Sequence, residues 1–355
     1  MIKESKHIEI VRSSIIELSS MSQLSCDAIL EVLSKYYSKV RVSVVDNITD
    51  LEALVDSRPD LVFMGMEFVY DDSLQSKDKS NKVWLSDYLD KHEIAYTGSD
   101  QSAHELQRNK PLAKQRVQRF NLKTSPYCVI KKGQVINDDN FRMNFPVFIK
   151  PTDRGGGLGI NADSIAFNFK QLQLKVRSIN NKYDSAALVE EYLPGREFSV
   201  AILKEELSDD YLVMPIELVA PKNQNGYRLL SGYVKSSNSE QALAVDNNDR
   251  SKVIELAIEV FKVLGARDYG RIDIRLDANG TPNFLEANLI PSLISGYGSF
   301  PKACQLNNKI DYESMILRIT KLGLARNNAV VLPLHDSLSL DDDVYTSKEI
   351  VFDQL

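Results

Sequence analysis

Apolar and polar positions change period along this chain. Over about the first 95 residues, short apolar runs alternate with segments whose apolar positions recur at helical spacing, the mark of a parallel α/β layer. His7 to Val11, Val40 to Val45 and Asp60 to Met64 read as strands. Asp27 to Tyr37, with Ile29, Leu30, Val32 and Leu33 apolar, reads as a helix, and Leu51 to Val55 begins another. Residues 70–82 form a polar stretch expected to be a mobile loop. Tyr96-Thr-Gly-Ser99 closes the layer, and the polar helix after it breaks at Pro111, whose fixed φ suits the start of the next.

From Thr124 onward the pattern shortens to strands: Tyr127 to Ile130, Val147 to Ile149, Leu188 to Glu191, Phe198 to Leu203 and Leu212 to Leu218. An α+β region built on antiparallel sheet is expected. Helix 251–264 carries Val253, Leu256, Ala257, Val260, Phe261 and Leu264 at helical spacing and stops at Gly265, so one face must pack on that sheet. There is no internal repeat. Residues 327–355 are polar, with Asp341, Asp342 and Asp343 in a row, and read as an appended surface segment or a partly disordered one.

At 355 residues the chain is long enough for two or three domains, and its charge of −6 gives no footprint for nucleic acid or an anionic membrane. No apolar run approaches the ~20 residues of a membrane span, and the polar start lacks a signal-peptide core, so a cytoplasmic protein is expected. Cys26, Cys128 and Cys304 are dispersed and read as free thiols. The four histidines are equally scattered and suggest no metal site.

Candidate chemistry concentrates in 271–288, RIDIRLDANGTPNFLEAN. Two strand-like runs flank a DANG turn, and alternation puts Arg271 and Asp273 on one face of the first and Glu286 and Asn288 on one face of the second. In register, two carboxylates, an amide oxygen and a guanidinium converge, a hard-oxygen set suited to magnesium beside phosphate. A hairpin with a solvated charged face would look similar, but Glu286 lies inside the apolar run from Phe284 to Ile290 and needs a partner there. Lys150 ends FPVFIK and precedes PTDRGGGLGI, a cation at a strand end beside glycines that can bring backbone N–H groups to phosphate. In 188–198, LVEEYLPGREF, a strand enters a turn and Glu197 starts the next strand; alone it is equally a strand, a turn and a solvated acid.

In this order, Lys-Pro with a glycine loop, EEYLPGRE, then RxD and ExN resemble the ATP-grasp superfamily, specifically D-alanine:D-alanine ligase and its relatives, from about Tyr96 to Leu324. The resemblance implies an N-terminal parallel α/β domain over 1–98, a central α+β lobe over 99–187, a C-terminal α+β lobe over 188–326 and an extension over 327–355. It implies ATP with magnesium, or manganese in its place. Lys110 and Lys150 match nucleotide-binding lysines; Glu190, Glu191, Tyr192 and Leu193 match the adenine hinge; Glu197 matches the ribose acid. Asp273, Glu286 and Asn288 match the metal ligands. Lys235 matches a phosphate-reaching lysine, and Arg271, with amides of Gly156 and Gly157, the group that stabilises the oxyanion. Glu17, Ser292 and Ser299 are the substrate candidates.

Three departures touch the amino-acid pocket. The family's latch serine and tyrosine read Gly156 and Ser236, HGxxGEDG is replaced by Met64-Gly-Met-Glu-Phe-Val-Tyr-Asp71, and NTxPGxTxxS by Asn288 to Ser299 with a gap. The expected activity is ATP-dependent joining of a small carboxylate, such as an amino acid, to an amine through an acyl phosphate. A carboxylate–thiol ligase loading a carrier protein and a nucleotide-binding regulator without turnover are the alternatives. A homodimer is compatible with the sequence.

Overall fold

A computed structural model describes residues 2–15, 18–71, 81–223 and 225–326. Glu17, most of the 70–82 stretch and the 327–355 extension lie outside the described residues.

The first layer is the expected parallel sheet. β1 (Glu4–Arg12) lies between β2 (Tyr37–Val44) and β3 (Leu61–Met64), both parallel to it, with α1 (Gln23–Tyr36) and α2 (Ile48–Asp56) as crossovers. Ser22 and Asn47 cap these helices by accepting from the backbone N–H of Ser25 and Asp50, so α1 starts ahead of the expected Asp27. The ends of the 70–82 stretch are not loop: β4 (Phe68–Tyr70) and β5 (Lys82–Trp84) pair antiparallel, followed by α3 (Leu85–Lys91). Three-residue strands are too short to show a period.

Two helices follow, α4 (Gln101–Arg108) and α5 (Lys110–Arg119), capped by Asp100 and Asn109. The central sheet, in order β6-β9-β7-β8, is antiparallel: β6 (Tyr127–Ile130), β7 (Val147–Pro151), β8 (Ile165–Ala166) and β9 (Ala187–Glu191), with α6 (Phe169–Tyr183) burying Leu172, Val176 and Ile179 against it. The last sheet, β12-β11-β10-β13-β14, holds β10 (Glu197–Lys204), β11 (Tyr211–Val219), β12 (Gln241–Ala244), β13 (Tyr269–Leu276) and β14 (Pro282–Asn288). α7 (Gly232–Ser236) and α8 (Asn247–Val263) are inserted in it, and α9 (Ser299–Asn308) and α10 (Tyr312–Arg326) follow. β10 is buried from Phe198 to Leu203 because α8 covers one face, over Val200 and Ile202, and α9 the other, over Ala201 and Leu203. That double cover explains its continuous apolar run.

β9 pairs with both β6 and β7 across the expected 187/188 boundary. α4 and α5 share a core with α8 and β14 through Ala103, Ala113, Val117 and Phe284. α10 returns to the first layer, where Met315, Ile316 and Ile319 pack with Ile8, Ile10 and Phe63. No described helix is long and apolar enough to cross a membrane.

Candidate active site

The β4–β5 pair, the central sheet and the last sheet contribute to the walls of a cleft of about 1410 Å³. Its floor is the β13–β14 hairpin, in which Arg271 stands opposite Asn288 and Asp273 opposite Glu286. The register then slips: Ile274 pairs with Phe284, leaving Leu285 as the extra residue of a bulge. Strict alternation would send Phe284 and Glu286 to the same face. The bulge lets Phe284 be fully buried in the core while Glu286 lines the cleft.

Arg271 grips Asp273 with two parallel bonds, Nε to Oδ1 at 2.9 Å and Nη2 to Oδ2 at 3.0 Å, and its Nη1 donates to Ser299 Oγ at 3.0 Å. Asn288 Nδ2 donates to Asp273 Oδ2 at 3.2 Å. Burial would push the Glu286 carboxyl up, but Lys110, Lys150, Lys235 and Arg271 hold it at about 2, so it is ionised at neutral pH. Two carboxylates and an amide at one end of a hairpin fit a small hard cation that shares its remaining positions with water and phosphate. Among the described residues no group of three His, Cys, Asp or Glu could hold a metal alone.

Glu190, expected at the adenine hinge, lines the cleft with its carboxylate buried between two lysines: Lys114 Nζ lies 2.6 Å from Oε1 and Lys150 Nζ 2.9 Å from Oε2, with Ser125 Oγ donating at 3.0 Å. Burial works against the charge, yet the lysines bring its pKa down to about 2. Lys114 also donates to Thr124 Oγ1 at 2.6 Å and to the Phe284 carbonyl at 3.2 Å, and burial draws its pKa down to about 8. Sequence reasoning missed Lys114, although a lysine between Ala113 and Val117 on a helix face that must be buried signals a hidden partner. Glu191, Tyr192 and Leu193 line the cleft beside Glu190.

Lys110, the first residue of α5, donates from Nζ to the Arg154 carbonyl at 2.5 Å and stands 3.9 Å from Glu286 Oε2, joining the glycine loop to the hairpin. Gly156 and Gly157 have φ of +63° and +80°. A Cβ on Gly157 would come within 2.9 Å of the Gly232 nitrogen, whereas one on Gly156 would meet nothing within 4 Å. Gly156 lines the cleft, and Gly157 is the loop's packing contact with α7, the helix that carries Lys235 to the cleft wall. Glu197, raised by burial against the pull of Arg275, pairs with Arg275 Nη1 at 3.0 Å. Arg275 Nη2 donates to Tyr192 OH at 2.8 Å, a second link that the sequence did not disclose. Ser292 and Ser299 line the cleft.

Comparison with known proteins gives the family and the fold. A family model described as D-ala D-ala ligase C-terminus matches residues 117–321, more than half of the chain. D-alanine–D-alanine ligase of Actinobacillus pleuropneumoniae is 27% identical over 243 residues, 67% of this chain and 75% of that enzyme. The Methylacidiphilum infernorum ligase is 30% identical over 236 residues, 66% and 71%. An uncharacterised protein of Sinorhizobium fredii is 28% identical over 251 residues, 69% and 71%. In fold, the chain is similar to the D-alanine–D-alanine ligase of Bacillus anthracis complexed with ATP, with a TM-score of 0.68 at 17% identity over 91% of this chain and 99% of that one. The fold is thus ATP-grasp, and the chain belongs to the D-alanine–D-alanine ligase C-terminal family as an ATP-grasp ligase.

Proposed function

We propose that this protein uses ATP to activate a small carboxylate and join it to an amine, and that the carboxylate is not D-alanine. The observation that carries the reading is the opposition of Asp273 and Glu286 beside Arg271, with Lys110 and Lys150 along the same cleft. The Bacillus anthracis relative was solved with ATP, which supports ATP as the phosphoryl donor here.

In this reading Lys110, Lys150 and Lys235 neutralise the phosphates, and Glu191 to Leu193 with Glu197 hold the nucleoside. Asp273, Glu286 and Asn288 would hold magnesium or manganese, which supplies charge neutralisation on phosphate oxygens when bound. The substrate carboxylate oxygen attacks the terminal phosphorus, ADP leaves, and an amine then displaces phosphate from the acyl phosphate with loss of a proton. Arg271 stabilises the oxyanion of that second step, and the glycine loop excludes water.

The departure from D-alanine rests on the latch. Gly156 supplies no hydroxyl to the cleft, and the position that the resemblance matches to the latch tyrosine is Ser236. Each unmet polar contact costs about 1–3 kcal/mol, enough to redirect preference. The test is ADP release with D-alanine beside a panel of L-amino acids and other carboxylates, with hydroxylamine trapping the acyl phosphate. A panel member is expected to surpass D-alanine; D-alanine as the best substrate would refute this pocket reading.

A further inference from the structure

The wall that the first layer gives to the cleft holds a cation without an acid. Lys82 opens β5 and lines the cleft with Tyr70 and Trp84. Its half-buried Nζ sits 4.8 Å from the Phe68 ring centroid and 5.6 Å from that of Trp84. Aromatic faces attract an ammonium, but they offer no lone pair to its three N–H donors. The Lys82 side chain makes no hydrogen bond or ion pair with any described residue.

The acids that face it are held elsewhere. Glu67, whose side chain is 3% exposed, accepts from Gln107 and from Arg108 Nη1 at 3.2 Å. Glu105 accepts from Gln101 at 2.7 Å, and Asp153 from Arg154 at 2.6 Å and Ser185 at 2.6 Å. Arg108 lies over the same Phe68 ring at 4.8 Å and also lines the cleft. Burial and the Arg108 charge lower the Lys82 pKa against the opposing pull of Glu67, Asp153 and Glu105.

We infer that Lys82 and Arg108 form a subsite for a second carboxylate on the small-molecule substrate, so that the ligase acts on an acidic amino acid or similar dicarboxylate. The inference rests on the ligase reading for its chemistry but is tested by binding. Tyr70 and Trp84, which line the cleft, would cover the methylene arm of such a substrate, and the two cations would meet its far carboxylate.

Calorimetry on the full chain, with a non-hydrolysable ATP analogue present, compares aspartate and glutamate with asparagine and glutamine. Each acid is expected to bind at least about tenfold tighter than its amide, a factor typical of a charge-assisted contact. Lys82→Met should erase that preference while leaving affinity for the analogue unchanged, and Lys82→Arg should keep most of it. Equal binding of acid and amide, no binding of either acid, or an equal loss of analogue affinity in Lys82→Met would overturn the subsite, the last outcome making Lys82 a phosphate contact. Tight acid binding without ADP release from any carboxylate would instead overturn the ligase reading and leave the subsite standing.

Discussion

Asp273 and Glu286 face one another across β13 and β14, and the bulge at Leu285 keeps Glu286 on the cleft side while Phe284 remains in the core. If this pair and Asn288 hold the metal, Glu286→Gln and Asn288→Ala should each lower kcat by at least a hundredfold, about 2.7 kcal/mol, while the protein still folds. Activity within about tenfold of the parent would remove both from the metal site.

Lys150 bridges the candidate nucleotide site and Glu190. Lys150→Ala is expected to weaken ATP binding more than binding of the amine substrate, measured by separate titrations. Equal losses would mark Lys150 as purely structural.

Lys114 is deeper, with a fully buried side chain bound to Glu190. Lys114→Met should destabilise the fold by about 3–5 kcal/mol, because it strips a partner from a buried carboxylate. Adding Glu190→Gln should recover part of that loss in denaturant titrations, a coupling that independent sites would not display.

The Glu190 carboxylate also sets an acid limit. Its pKa falls from an ordinary 4.5 to about 2 on folding, so its contribution is complete above pH 4.5 and disappears as the pH falls through 2. Between those limits the unfolded chain binds the extra proton. Stability of the parent should therefore fall more steeply across that window than stability of Glu190→Gln; parallel curves would contradict the buried ion pair.

Gly157 and Gly156 should differ. Alanine at 157 forces a Cβ toward the Gly232 nitrogen at a φ of +80°, whereas alanine at 156 meets open space and bears only the left-handed backbone cost of about 1–2 kcal/mol. Steady-state kinetics should show the larger kcat loss for Gly157→Ala.

Much of this was legible in the sequence. The parallel first layer, β6, the glycine loop and the hairpin follow from apolar spacing and turn residues, and the order of motifs carries the fold. The bulge at Leu285 was hidden, because alternation has no means of reporting a one-residue slip. The pairings of Lys114 and Arg275 were hidden too, since Glu190 and Glu197 are 76 and 78 residues from them in the chain. Glu17 remains a candidate from sequence alone, lying outside the described residues.

The central claim is that the substrate carboxylate itself attacks ATP. A carboxylate substrate labelled with heavy oxygen, incubated with ATP, magnesium and amine, tests it through the mass of the phosphate released. One labelled oxygen transferred to phosphate per amide formed is the predicted result; unlabelled phosphate, with the label wholly retained in the amide or carboxylate, would contradict activation through an acyl phosphate.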